Sequence, residues 1–413
     1  MREEVIILGA GVAGLSTALP LARAGRRVTL IDPPGPAGGA SFGNAGLISA
    51  ETVVPIALPG MLRKVPSWLA DPLGPLAVRP AYLPKATPWL ARWIRAGRMD
   101  RVHAISDAMA PLHRGAFDAW RDLLGPGDFA GLIRRDGQVQ LWDEAAETPG
   151  AALERALRQR HGVEAQVLGQ DDIRQIFPGI ARHVSRGVII PGNGHIVSPP
   201  RAVRRLGELL LEAGGRILPQ RAMKLIPDGS GGWTVMTNTD NLRAGQVVVA
   251  GGAWSRQLLD PLGIPVPLET ERGYHLMLPS PGIEPRLPIL YKSRNFGVTP
   301  MEEGLRVAGT VEIAGLEAAP DERRAARLMG HLRNLFPDVS GGEPRLWMGF
   351  RPSTPDSLPV LGTVPGHPGL HLCFGHGHFG MTGGPPSGAL VAGMILGQPP
   401  GIDVAPYSVT RFR

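Results

Sequence analysis

Four consecutive apolar residues, Val5-Ile6-Ile7-Leu8, run directly into "GAGVAG" and then into an alanine- and leucine-rich stretch ending near Gly25. An uninterrupted apolar run suits a parallel strand buried on both faces. Gly9, Gly11 and Gly14 supply G-x-G-x-x-G where that strand turns into a helix, and "RVTLID" follows as a second strand. In this setting the three glycines serve a tight turn, close backbone approach to a pyrophosphate, and close packing of helix on sheet. The helix start, with Val12 and Ala13, adds amide donors and partial positive charge. Asp32 ends the second strand, where an acid accepts the ribose hydroxyls of an adenosine. The unit is therefore predicted to bind a dinucleotide, either nicotinamide or flavin. Pro20 falls inside the predicted helix, where proline costs about 3 kcal/mol, so a kink or local break is expected there.

Composition narrows the class. With 413 residues, 43% of them hydrophobic, the chain can bury a large core, and its length suggests two or three folding units. The formal charge is +7, yet the only lysines are Lys64, Lys85, Lys224 and Lys292, and the arginines are scattered rather than clustered. No nucleic-acid partner is expected on that pattern. The single cysteine, Cys373, excludes an intramolecular disulfide, and its setting "LHLCFG" reads as a buried strand with a packed, inert thiol. "MREEVIILGAG" lacks the features of a secretory signal, and no apolar run reaches about 18 residues. A cytoplasmic location is expected.

Two further stretches suit a backbone lying close to a flat ligand. "GGASFGNAGLIS" at 38–49 is rich in small residues and carries Ser41 and Asn44. "FGHGHFGMTGG" at 374–384 packs five glycines and two histidines into eleven positions. Neither cysteine nor carboxylate neighbours those histidines, and no metal is expected.

The chain resembles the D-amino-acid oxidase superfamily of FAD-dependent amine oxidoreductases, and within it the bacterial D-amino-acid dehydrogenases. The resemblance spans nearly the whole length and rests on the order of "GAGVAGL", "SFGNAGLIS", "VVVAGGAWS", "ERGYHLML", "MGFRPSTPDSLPVLG" and "GHGHFGMTGGPPSGALVAGMI". It implies FAD extended across the first domain, with pyrophosphate on Gly9, Gly11 and Gly14, ribose on Asp32, and flavin-side contacts from Ser41, Asn44, Ala45, Gly46 and Leu47. Met223 is similar to the position whose backbone meets the adenine, and Gly251 and Trp254 lie where the chain passes the cofactor again. Gly375, His376, Gly377, His378, Phe379, Gly380, Met381 and Thr382 would bring backbone to the electron-rich flavin edge, with a helix starting near Gly384 or Pro385 aimed the same way. Gly349 stands where monomeric sarcosine oxidases carry the cysteine that tethers FAD, which implies noncovalent binding.

At the substrate end the resemblance implies that Arg351 holds the substrate carboxylate, a role for which a guanidinium fork is suited by its two parallel charge-assisted bonds. Tyr274 is a second candidate and His275 a weaker third; Tyr291 is weaker again, and Arg272 could brace the domain junction. The implied reaction is oxidative deamination of a D-amino acid by hydride transfer to the flavin, giving 2-oxo acid and ammonia, or a cyclic imine from a proline-type substrate. The alternatives are a glycine or sarcosine oxidase that makes peroxide, a tRNA-modifying flavoprotein, a redox subunit of a larger complex, and a nicotinamide dehydrogenase. The resembled dehydrogenases pass electrons to a quinone or the respiratory chain.

The expected fold class is α/β with α+β: a Rossmann-like FAD-binding domain from 1–48, 145–258 and 346–413, and a substrate-binding domain on a mixed or antiparallel sheet from 49–144 and 259–345. "SPPRAVRRLGELLLEAGG" at 198–215 reads as a helix with Ser198 as cap, prolines in its first turn and Gly214 as stop. The stretch 53–98 holds Trp68, Trp89 and Trp93 among prolines and basic residues, a pattern compatible with peripheral contact with the inner face of the cell membrane.

Overall fold

The computed structural model describes residues 4–36, 38–61, 74–229 and 231–413. Its first layer is a six-stranded sheet ordered Arg216–Leu218, Arg27–Ile31, Glu4–Leu8, Gln246–Val249, His367–Phe374 and Val360–Val364. The first five strands pair in parallel and the sixth closes the edge antiparallel. The apolar run Val5–Leu8 lies fully buried in it, as a strand covered on both faces must. Helices Val12–Arg23, Pro199–Glu212 and Gly380–Ile395 join 99–114 and 116–132 in one apolar core against it.

The second layer is a nine-stranded mixed sheet in which Arg345–Ser353, Glu269–Leu278, Gly304–Ile313, Phe296–Met301, Ile289–Tyr291, Gln138–Trp142, Arg186–Ile190 and Gln166–Leu168 follow one another, and Leu76–Val78 pairs with Gly304–Ile313. This is the fold class expected. Arg186–Ile190 pairs with both Gln138–Trp142 and Gln166–Leu168, which places all three in the nine-stranded sheet. One of the two partners of the apolar "RGVII" lies across a gap of more than forty residues, which no local pattern announces.

Two helix expectations are also revised. The helix Val12–Arg23 runs unbroken through Pro20. The Ser16 carbonyl that Pro20 cannot serve faces Gly388, where an added Cβ would lie 2.7 Å from it, so tight packing of the C-terminal helix holds the first helix together at its weak point. That C-terminal helix begins at Gly380, ahead of Gly384 and Pro385, and Pro385 and Pro386 lie inside it. Pro385 frees the Met381 carbonyl, which accepts instead from Trp120 Nε1 at 2.8 Å. Ser198 occupies the N-cap position of Pro199–Glu212 without a capping hydrogen bond from its side chain.

Candidate functional site

The two sheets enclose a continuous cavity of about 1610 Å³. Ligand pockets usually measure roughly 300–1,000 Å³, so this one has room for an extended dinucleotide and a small second molecule. At one end the glycine turn behaves as the spacing requires. Gly9 has φ +119°, and a Cβ there would lie 2.4 Å from the Ala250 carbonyl. A Cβ on Gly14 would fall 1.9 Å from the Gly9 carbonyl, so Gly14 packs helix on turn and stays out of the cavity wall, whereas Gly11, Val12 and Ala13 line it. A Cβ on Gly11 would meet only Ser41 Oγ, at 3.3 Å, leaving the helix start open to a ligand. Asp32 also lines this end and its Oδ2 accepts from the Ala10 amide at 2.7 Å. Burial raises its carboxyl above the usual range, against the lowering effect of the Ala10 and Gly35 amides.

The other expected cofactor residues gather on the same cavity. Ser41, Asn44, Ala45, Leu47, Met223, Gly251, Trp254 and Gly375 through Thr382 all line it. Ser41 Oγ accepts from the Val12 amide at 3.1 Å, and Asn44 Oδ1 accepts from the Gly46 amide at 2.9 Å. Both side chains thus shape backbone. Gly46 itself is turned away, against Met301 and the Ile196 carbonyl. His376 is buried and bonded to Ser387 Oγ at 3.0 Å; burial holds its pKa down at about 3, so it is neutral. His378 reaches across to Glu271 Oε2 at 2.5 Å. Cys373 is fully buried in its strand, with burial pushing its thiol up to about 12, as expected of an inert packed group.

At the substrate end, Arg351 lines the cavity with its guanidinium laid over Gly273, where a Cβ would fall 2.2 Å from Cζ. Its NH1 donates to the Thr310 carbonyl at 3.0 Å. Burial lowers its pKa and the charge of Glu271 acts to raise it. Thr310 has φ +60°, a conformation a β-branched residue rarely adopts. It sits in a β-bulge: Arg272 faces Glu312 and Tyr274 faces Gly309, so one strand carries an extra residue there. The bulge turns the Thr310 carbonyl toward Arg351.

Tyr274 and His275 both have partners within the protein. Tyr274 lines the cavity, but its hydroxyl donates to Glu312 Oε2 at 2.6 Å and accepts from the Asp321 amide at 3.0 Å. His275 points to the other side, stacked on Trp347 at 4.9 Å and bonded to the Gly43 carbonyl at 2.9 Å, with burial holding its pKa at about 3. Arg272 braces the sheet's own 312–319 segment through Gly315 and Glu312. The Tyr291 hydroxyl is taken up by Asp143 and His183. Sequence reasoning missed Glu271, although an acid in a strand buried at all ten positions is a signal in itself.

Residues 4–394 match the family described as FAD dependent oxidoreductase, DAO. The chain belongs to this family. A D-amino-acid oxidase of Bradyrhizobium diazoefficiens is 40% identical over 417 residues, covering 99% of each chain. A D-amino acid dehydrogenase of the same bacterium is 32% identical over 423 residues, again 99% of each. Among solved structures, glycine oxidase from Geobacillus kaustophilus superposes with a TM-score of 0.72 at 22% identity over 99% of both chains, a likeness of fold. The enzyme is an FAD-dependent oxidoreductase, and the open glycine turn, the half-buried acid at the strand end and the length of the cavity fit that cofactor.

Proposed function

We propose that this flavoenzyme oxidises D-amino acids, with Arg351 holding the substrate carboxylate. The observation that carries this reading is the Arg351 guanidinium in the cavity wall, making one hydrogen bond among the described residues and so keeping donors for a ligand. Both curated relatives named above act, by name, on D-amino acids. Bound FAD supplies the two-electron acceptor. The protein's part is alignment: the fork of Arg351 fixes the carboxylate, Thr310 fixes the fork, and the bare backbone of Gly273 lets the guanidinium lie flat against the strand. Gly11, Ala13 and Asp32 hold the dinucleotide end, and 375–382 presents backbone at the other.

The cofactor is held noncovalently in this reading. Gly349 offers no side chain, a Cβ there would fall 1.9 Å from the Trp347 ring, and the Cys373 thiol is sealed in the core. Electrons leave to a quinone or the respiratory chain. Of the three tryptophans in 53–98, Trp89 points inward, its Nε1 donating to the Ser353 carbonyl at 3.1 Å; Trp93 lines the cavity, and Trp68 lies outside the described residues. Membrane contact would therefore use the outer face of Leu83–Ala96, where Leu83 and Ile94 are exposed beside Lys85, Arg92 and Arg95. No helix among the described residues is long and apolar enough to cross a membrane.

The deciding experiment is anaerobic bleaching of the yellow protein by a panel of D- and L-amino acids, glycine and sarcosine. Bleaching by at least one D-isomer in preference to its L-form is expected; bleaching by glycine or sarcosine alone would replace the substrate class. Acid precipitation should release the yellow colour into the supernatant.

A further inference from the structure

A D-amino acid carries its carboxylate and its ammonium on the same carbon, so a site that fixes one meets the other within a few ångströms. Four carboxylates line the described cavity wall: Asp32, Glu51, Glu154 and Glu271. Asp32 belongs to the glycine turn, Glu51 lies against Gly192, and Glu154 is held between Arg158 at 3.0 Å and Lys292 at 2.8 Å. Glu271 is the one in direct cross-strand register with Arg351. Its side chain is 8% exposed, and that of its partner His378 is 29% exposed.

From this geometry, and building on the reading of the substrate as a D-amino acid, we propose that Glu271, backed by His378, meets the substrate ammonium and takes its proton before the alpha carbon is oxidised. One ammonium N–H bond breaks and its proton bonds to the Glu271–His378 pair. The electron pair stays on nitrogen, where it assists departure of hydride from the alpha carbon. The more exposed imidazole links the buried carboxylate to solvent, so the pair can be reset after each turnover.

The surrounding charges are consistent with this role. Burial acts to raise the Glu271 carboxyl, but the nearby His378 and Arg351 outweigh it and hold the group below the ordinary carboxylate range. The carboxylate is thus kept in its charged, proton-free form, the form that attracts an ammonium. Two residues back along the same strand, Glu269 is engaged with Tyr82 and faces the charge of Arg256. On the C-terminal loop, His376 is neutral and occupied by Ser387. Trp93, from the helix packed above, contributes no charge to the small side cavity that Glu271, Ser353 and His378 share.

The test compares the wild-type holoenzyme with Glu271→Gln and Glu271→Asp. With a D-amino acid that bleaches the wild type, the flavin reduction rate of Glu271→Gln should fall about 100-fold at pH 7. Its rising pH limb should move up by at least about one unit, toward the pH at which the amine deprotonates unaided. Glu271→Asp should restore the limb. Benzoate, which has the carboxylate without the ammonium, should bind Glu271→Gln at least about tenfold more tightly, because a like charge beside Arg351 is gone; calorimetry or perturbation of the flavin spectrum reads this without turnover. An unmoved pH limb in Glu271→Gln overturns the proposal. Should that variant fail to hold cofactor, His378→Asn takes its place, and an unmoved limb there is equally fatal. If the wild type bleaches with no D-amino acid, the substrate reading falls instead, and benzoate affinity alone tests the charge pairing: an unchanged value overturns it.

Discussion

The two ends of the cavity are built from different material. At the dinucleotide end the wall is main chain: glycines that bring carbonyls and amides to the surface, with Ser41 and Asn44 spent on holding that backbone in place. At the substrate end the wall is side chain: a buried guanidinium, a buried carboxylate and an imidazole, positioned by a bulge and by strand register. Backbone recognition tolerates no added atom, whereas side-chain recognition tolerates substitution and changes affinity by steps. The first end is thus a fixed socket and the second an adjustable one.

Substitutions should divide along that line. Gly14→Ala places a methyl 1.9 Å from the Gly9 carbonyl, an overlap that should cost on the order of 3 kcal/mol or more; the expected product is colourless or poorly folded, read by flavin content and thermal melting. A normally yellow Gly14→Ala protein would erase the contrast. Arg351→Met should leave bound FAD intact while raising KM about 100-fold or more, the loss expected for truncating a buried charged hydrogen-bonding partner. Unchanged turnover would remove Arg351 from the site.

Acid should weaken both ends. His113, His275 and His376 are held neutral by burial, at about 4, 3 and 3 against an ordinary 6.5. Below about 6.5 the unfolded chain takes up protons that the folded one refuses, so stability present above that pH is lost as it falls toward 4, by up to about 1.4 kcal/mol per pH unit for each group. Thermal melts from pH 7.5 to 4.5 should show the decline, and His275→Asn should flatten it. The smallest effect is expected for Thr310→Gly, which relieves roughly 1 kcal/mol of backbone strain. Its melting temperature should rise slightly while KM worsens, because Arg351 loses a firmly held carbonyl.

Those differences also explain what the sequence made legible. The glycine turn and Asp32 could be read directly, because strand, turn and helix are contiguous and the ligand touches backbone whose conformation the residue types dictate. Arg351 was reached through the resemblance of its motif. Glu271 and His378 are 107 positions apart, and no local pattern joins them. The displacement of Tyr274 toward Glu312 depends on a bulge that only the pairing of two strands creates. The start of the last helix was misplaced because its prolines signal a boundary, and only Trp120, far away in the chain, supplies the donor that lets the helix begin earlier.

Ser353, at the end of the strand that carries Arg351, forms an isolated antiparallel bridge with His376, in the glycine loop of the other layer. The same Ser353 carbonyl receives Trp89 from the overlying helix. A swing of one layer away from the other would have to break this stitch, within two residues of the anchoring guanidinium on one thread and of the imidazole at 378 on the other.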